Sequence, residues 1–451
     1  MKKACLVIAL TALGGLATNT LADVQNIRLS GDIRTRGYYL TDAAESSGSS
    51  KDQLQSSSFF IEQRTRVCVE ADLEDHVLVV VTLQAQGLWG DSSSANSSGA
   101  GTEDDAGTSI NRSWSTGVSE AYLQLNEVFY SPATLKVGRQ FLNYGRGLIL
   151  SSVEQEYNYD AGRLVLDYYP LTLDIVGARI ADQGSFGGDS FHPNANLLFV
   201  NARYEMSDSL IKDVEGYFGW LGQSSQGGAT TTQAPPTANG ASPMIIGLRS
   251  DMNLTEGLTT WIEGAYEFGQ NGNVSTGHIS AWLANAGLRF SMKDTKMAPV
   301  FNASYTFASG GGTSGQKNFV PWFDYVDGYN GYLFCPILSN IHIFNVGATV
   351  KTWENATFSL QGYYYMAADK DSFAGSNPNI DFGGLEFTRE AGQSGSRDLG
   401  WEVDAIMGYD YSKDVRFQVV NAFFIPENAY TKSPLVSQVA HELRGEVSVK
   451  F

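Results

Sequence analysis

The chain has 451 residues, 43% of them hydrophobic and 17% charged, with 48 glycines, 12 prolines and a formal net charge of −18. Aromatics at 12% exclude a disordered chain, the acid excess excludes general nucleic-acid binding, and three cysteines exclude a disulfide scaffold. Beyond the N-terminal segment no stretch approaches the roughly 18 apolar residues of a spanning helix, which excludes a helical membrane protein but not one built of strands.

Residues 1–22 read as a secretory signal. Lys2 and Lys3 supply the positive start, Ala4 to Ala17 the apolar run and Thr20-Leu21-Ala22 the small-residue cleavage site. The expected mature part, residues 23–451, is a single domain. From Ile27 onward the chain alternates with period two. Ile27, Leu29, Ile33 and Tyr39 share one face, and Arg28, Asp32, Arg34 and Arg36 share the other. The next segment repeats the pattern, with Phe59, Ile61, Val67 and Val69 opposed to Glu62, Arg64, Arg66, Cys68 and Glu70. Soluble strands average about five or six residues, whereas these run near the 9–11 that cross a bilayer at a tilt.

Eighteen such segments follow one another, and the alternation is weakest at Leu171–Ile180 and Val415–Ile425. Short connections such as Leu73–His76, Tyr169–Leu171, Leu254–Leu258, Thr352–Thr357 and Ser412–Asp414 take turns with long Ser/Gly/Asp-rich ones. The long class includes Thr41–Ser57, Asp91–Gly117, Gly222–Pro243, Ser309–Ser339 and Ala367–Asp398. This layout predicts an all-β, transmembrane, antiparallel up-and-down β-barrel of 18 strands, with short periplasmic turns and long extracellular loops. Aromatic residues support it by collecting at both ends of the segments. Trp89, Trp220, Tyr364 and Trp401 sit at the long-loop ends, and Tyr130, Tyr168, Tyr409 and Phe451 at the short-turn ends. The implied location is the bacterial outer membrane, with lipid against the apolar face. The C-terminal Phe451, ending a strand that alternates through Leu443, Gly445, Val447 and Val449, resembles the signal read by the barrel-assembly machinery.

The polar parity carries the candidate site. Pore-lining or solute-binding positions are Arg28, Arg34, Arg36, Arg64, Arg66, Arg163, Arg203, Arg249 and Arg289, with Glu263 and Glu267 roughly opposite the first two strands on the ring. So many unpaired charges in a dry interior would cost several kcal/mol per ion, so the charges imply a watery channel or extensive pairing. One expectation is a transverse field, a basic wall against an acidic one. The other is a set of local Arg–Glu ladders. Cys68 has lumen parity and Cys335 lies in the longest external region. A disulfide between them would pin an infolded loop to the wall. No histidine has a metal-binding partner at motif spacing, and no nucleophile elbow, P-loop, dinucleotide fingerprint or haem-attachment motif is present. The expectation is therefore no catalytic residues, no cofactor and no metal.

Several segments resemble the alginate export porin family. They are Arg64-Thr-Arg66-Val-Cys-Val-Glu-Ala-Asp72-Leu, Glu120-Ala-Tyr-Leu-Gln-Leu125, Leu135-Lys-Val-Gly-Arg139-Gln140 with Asn143-Tyr-Gly145, and Ala308-Ser-Gly310 followed by Ser339-Asn-Ile341. The resemblance implies an eighteen-stranded barrel that exports an anionic polysaccharide such as alginate through an arginine-lined pore. It adds Arg139 to the pore-lining set. By parity Arg139 falls on the lipid face, so a β-bulge near Gly138 is expected to re-aim it. The function expected is passive passage of hydrophilic or anionic solutes without chemistry. The rivals are a structural barrel that sheaths a partner protein, such as a cytochrome, and an outer-membrane hydrolase.

Overall fold

The computed structural model describes residues 26–41, 57–74, 76–90, 114–152, 158–181, 195–206, 210–223, 242–270, 278–311, 317–319, 322, 330–336, 338–370, 380–382, 385–387, 396–427 and 439–451. Residues 1–22, expected to be a secretory signal, and the acid-rich parts of the long connections lie outside them. Eighteen strands form the wall: β1 (Asn26–Thr41), β2 (Ser58–Glu74), β3 (Val77–Leu88), β4 (Ser115–Leu125), β5 (Ala133–Gln140) and β6 (Tyr159–Tyr168). They continue as β7 (Leu171–Ala181), β8 (Ala195–Glu205), β9 (Ile211–Gln223), β10 (Ser242–Thr255), β11 (Leu258–Gln270) and β12 (His278–Ser291). The last six are β13 (Val300–Ala308), β14 (Ile341–Trp353), β15 (Ala356–Ala367), β16 (Asp398–Asp410), β17 (Val415–Pro426) and β18 (Ala440–Lys450). The two weakly alternating segments are thus true strands, β7 and β17. A small hairpin, Ile380–Phe382 with Leu385–Phe387, belongs to the long connection before β16.

Every strand pairs antiparallel with its neighbours in sequence, and β1 pairs with β18 to close the ring. Closure leaves no unpaired sheet edge, which is the condition for strands to cross hydrocarbon. The two faces follow the sequence alternation. In β8, Ala195, Leu197, Phe199 and Asn201 are buried toward the interior while Asn196 and Leu198 are exposed. In β11, Glu263, Ala265 and Glu267 are interior while Ile262 faces out.

The interior is not an empty tube. The hydrophobic core lies inside the ring, where Leu142, Leu148, Ile149 and Leu150 between β5 and β6 are buried together with Phe319, Trp322, Phe334 and Leu338 between β13 and β14. Two external loops fold into the lumen and bury their apolar side chains against wall residues such as Phe199, Tyr365 and Phe424.

The first and last strands meet at the seam. The Phe451 N–H donates to the Gly31 carbonyl at 3.0 Å, and the Gly31 N–H donates to the Phe451 carbonyl at 2.8 Å. A Cβ on Gly31 would come within 2.4 Å of the Arg66 carbonyl and 2.7 Å of the Phe451 ring. Gly31→Leu therefore overpacks the closing seam and should lower barrel stability by about 1–3 kcal/mol, read as a shifted midpoint in urea unfolding from vesicles.

Candidate functional site: an arginine wall facing two anchored loops

The lumen has two unlike sides. One is built from β18, β1 and β2, whose register alternates charge. Asp32 stands opposite Arg66, and Arg36 stands opposite both Glu62 and Glu446. Arg36 Nε contacts Glu446 Oε2 at 2.6 Å, and Arg66 Nη2 contacts Asp32 Oδ2 at 2.5 Å. One like-charge pair interrupts the alternation: Arg34 lies directly opposite Arg64. These two reach carboxylates of the next rungs, Arg34 to Glu62 and Arg64 to Asp32, each at 3.6 Å. Directly opposed like charges destabilise a strand pair, so the doublet is retained against a local penalty. Arg444 of β18 extends this wall. It bonds Glu442 at 2.7 Å and its guanidinium lies 4.9 Å from the centre of the Tyr38 ring.

The other side holds the infolded loops, and buried carboxylates hold them there. Glu402 of β16, fully buried, accepts the backbone N–H groups of Tyr332, Leu333 and Phe334 at 2.7, 2.9 and 2.8 Å. Three donors on one carboxylate satisfy an ion that would otherwise be costly to bury. The approach requires Gly331. Its φ is +112°, and a Cβ there would lie 2.4 Å from the Tyr365 hydroxyl and 2.7 Å from Glu402 Oε1. Phe334 then stacks on Phe424 with ring centres 4.2 Å apart, and Trp322 donates its indole N–H to Glu267 at 3.0 Å.

The loop between β5 and β6 is anchored by the same chemistry. The Gly145 N–H donates to Glu215 and the Arg146 N–H to Glu263, both at 2.9 Å. Tyr217 also donates to Glu263, at 2.8 Å. Gly145 takes a φ of +59°, and a Cβ on it would sit 2.5 Å from Glu263. Tyr144 donates to Asp174 at 2.9 Å, and burial holds its phenol well above the usual range, so it stays a donor at physiological pH.

The residues expected to line the pore therefore separate into four groups. Arg34, Arg36, Arg64 and Arg66 come together on one wall as ladders of ion pairs, the second of the two arrangements expected. Glu263 and Glu267 serve as loop anchors. Arg163, Arg203 and Arg249 line the acidic side in pairs with Asp174, Asp213 and Glu215 at 2.5, 2.6 and 2.7 Å. Arg28, bonded to Glu70 at 3.0 Å, and Arg289 lie exposed toward the periplasmic mouth.

Arg139 does not line the pore. The register of β5 against β4 and β6 runs unbroken through Gly138, so the expected bulge is absent. Arg139 stays on the outer face and meets Asp160 in a two-point contact, Nε–Oδ1 2.8 Å and Nη2–Oδ2 2.9 Å. A charge on the outer face costs about 2–4 kcal/mol at the bilayer midplane but about 0–1 near the interface. Arg139 is next to the last residue of its strand at the external end, which removes the need for a bulge. Cys68 and Cys335 form no disulfide, and carboxylates do the pinning expected of one. Parity puts Glu402 on the lumen face but gives it no role, because only the loop backbone it receives supplies one.

Residues 28–441 match the alginate export family. The chain belongs to that family. Among solved structures, OpdL of Pseudomonas aeruginosa is similar with a TM-score of 0.58 at 14% identity, covering 94% of this chain and 99% of that one. OccK2 (OpdF) of the same organism, in complex with glucuronate, gives 0.58 at 10% identity over 95% and 99%. OpdK with vanillate gives 0.56 at 12% identity over 94% and 98%. No curated protein matches the sequence. This member of the alginate export family is a bacterial outer-membrane channel for solutes.

The anchors make a prediction. Glu402→Ala leaves three N–H donors without an acceptor, each charge-assisted bond being worth about 1.5–3 kcal/mol, and single-channel conductance should rise on the order of twofold as the loop leaves the lumen. Unchanged conductance in planar bilayers would show that this loop does not limit the pore.

Proposed function

We propose that this channel passes small hydrophilic solutes carrying a carboxylate, and that the β18–β1–β2 wall attracts them. The arginines crowded on β1 and β2 carry this reading, since Arg34 and Arg64, buried at facing positions, concentrate positive potential at one level of the lumen. Neighbouring Asp32, Glu62 and Glu446 keep the attraction weak enough for release. A passage needs sites that are favourable to enter and easy to leave, and a ladder of partly neutralised arginines supplies them. Co-crystallisation of the structurally similar OccK2 with glucuronate and of OpdK with vanillate, both carboxylates, fits this class.

A second reading, export of an anionic polysaccharide such as alginate, rests on the family description. Against it stand the described residues of two loops, which are packed inside the ring and would have to move for a polymer to thread. Phe451, whose backbone is already tied to β1, is proposed as the end recognised by the barrel-assembly machinery.

Liposome swelling separates the readings. Uronate monomers should enter faster than neutral hexoses of equal size, and uronate oligomers should be excluded. Rapid oligomer entry would favour polymer export, and no entry of any solute would favour a sheath for a partner protein. Replacing Arg34, Arg36, Arg64 and Arg66 together by Ser removes four positive charges and should shift bilayer permeability toward cations. Unchanged selectivity would remove the arginine wall from the mechanism.

A further inference from the structure

Charged side chains are few on the outer face of the described strands, and one row of them spans several strands. Register places Arg139 of β5 opposite Asp160 of β6, Asp160 opposite Arg179 of β7, and Arg179 opposite Asn196 of β8. All four side chains have outward parity. Their strand neighbours Gln140, Tyr159, Ala161, Ala178 and Ala195 are buried on the lumen side. Arg139 holds Asp160 at two points, and Arg179 Nη1 donates to Asn196 Oδ1 at 2.7 Å. The remaining outward charges among described strand residues, Lys212 and Asp398, lie apart from one another at strand ends, and Asp398 accepts a hydrogen bond from Tyr364.

The height of this row can be read from β6. Asp160 lies eight residues above Tyr168, which is exposed in the periplasmic aromatic girdle. At about 3.4 Å per residue and a tilt of about 35–45° the row sits about 20 Å above that girdle, at the outer edge of the apolar band of about 25 Å. That edge is where the headgroups of the outer leaflet begin. Two guanidiniums flank one carboxylate, so the row is net positive. Arg139 and Arg179 are two strand spacings apart, about 9.6 Å.

We propose that this row is a docking site for the phosphorylated headgroup of an outer-leaflet glycolipid. A planar guanidinium matches a phosphate bidentately, and bilayer-side basic clusters recognise anionic headgroups. Asp160 orients Arg139 and the Asn196 carbonyl oxygen orients Arg179, while the Asn196 amide nitrogen adds a neutral donor to the same row. Such a bound lipid would belong to the outer wall and leave the pore chemistry untouched.

The test compares wild type with Arg139→Gln/Arg179→Gln and with Asp160→Asn, each extracted from outer membranes and exchanged into mild detergent. Native mass spectrometry should show phosphorylated glycolipid retained on the wild type and about tenfold less on the double variant, as expected for loss of charge-assisted contacts. Reconstitution then separates lipid binding from an internal ion pair. Wild type in phosphatidylcholine vesicles containing bisphosphorylated lipid A should melt higher than in phosphatidylcholine alone. The double variant should lose that increment while melting with the wild type in phosphatidylcholine. Asp160→Asn should keep the increment, and inorganic phosphate added to micelles should not reproduce it. Equal lipid retention by the double variant, or an equal loss of the increment in Asp160→Asn, would overturn the proposal.

Discussion

A carboxylate taken out of water must be given donors, and this barrel gives them with the backbone of its own loops. Glu215, Glu263 and Glu402 are buried on the lumen wall, and each receives main-chain N–H groups from a loop that has turned inward. The exchange works in both directions. The wall ions gain partners that water would otherwise provide, and the loops gain fixed ends inside a cavity too wide for side chains alone to fill. Remove the acids and the loop N–H groups lose their acceptors, leaving contacts such as the Tyr365 hydroxyl on the Asn330 carbonyl. Remove the loops and several carboxylates must be hydrated again.

The carboxylates that hold the described loop residues lie on β7, β9, β11 and β16, and the arginine ladder lies on β18, β1 and β2. The asymmetry of the pore follows from this placement. Arg444 marks the boundary, since its guanidinium stands 5.2 Å from the Tyr332 ring of an infolded loop while its own strand belongs to the arginine wall. The interior thus sets ion pairs on one side against a packed face of aromatic and aliphatic side chains on the other.

The wall was legible in the sequence because period-two alternation is a local property. Ile27, Leu29 and Ile33 against Arg28, Asp32 and Arg34 announce their faces without knowledge of any partner strand. Even the faint segments Leu171–Ile180 and Val415–Ile425 were recoverable from turn spacing. The site was only half legible. Parity put Arg34, Arg64, Glu263 and Glu267 inside, but whether an interior charge meets water, a cross-strand partner or a loop depends on contacts far apart in sequence. Glu402 and Tyr332 are 70 residues apart, and no local pattern joins them. A hint did exist in Leu148-Ile149-Leu150, an apolar run inside a connection that should have been polar. Arg139 shows the opposite failure. Parity placed it correctly on the outer face, and the expected cost of a charge in lipid led to a bulge that its height on the strand makes unnecessary.

The seam between first and last strands passes through the arginine wall, and Arg36 on β1 meets Glu446 on β18 across it. One of that wall's three strands is in place only once the C-terminal strand has docked. The wall proposed to discriminate among solutes is thus completed by the same pairing that closes the barrel.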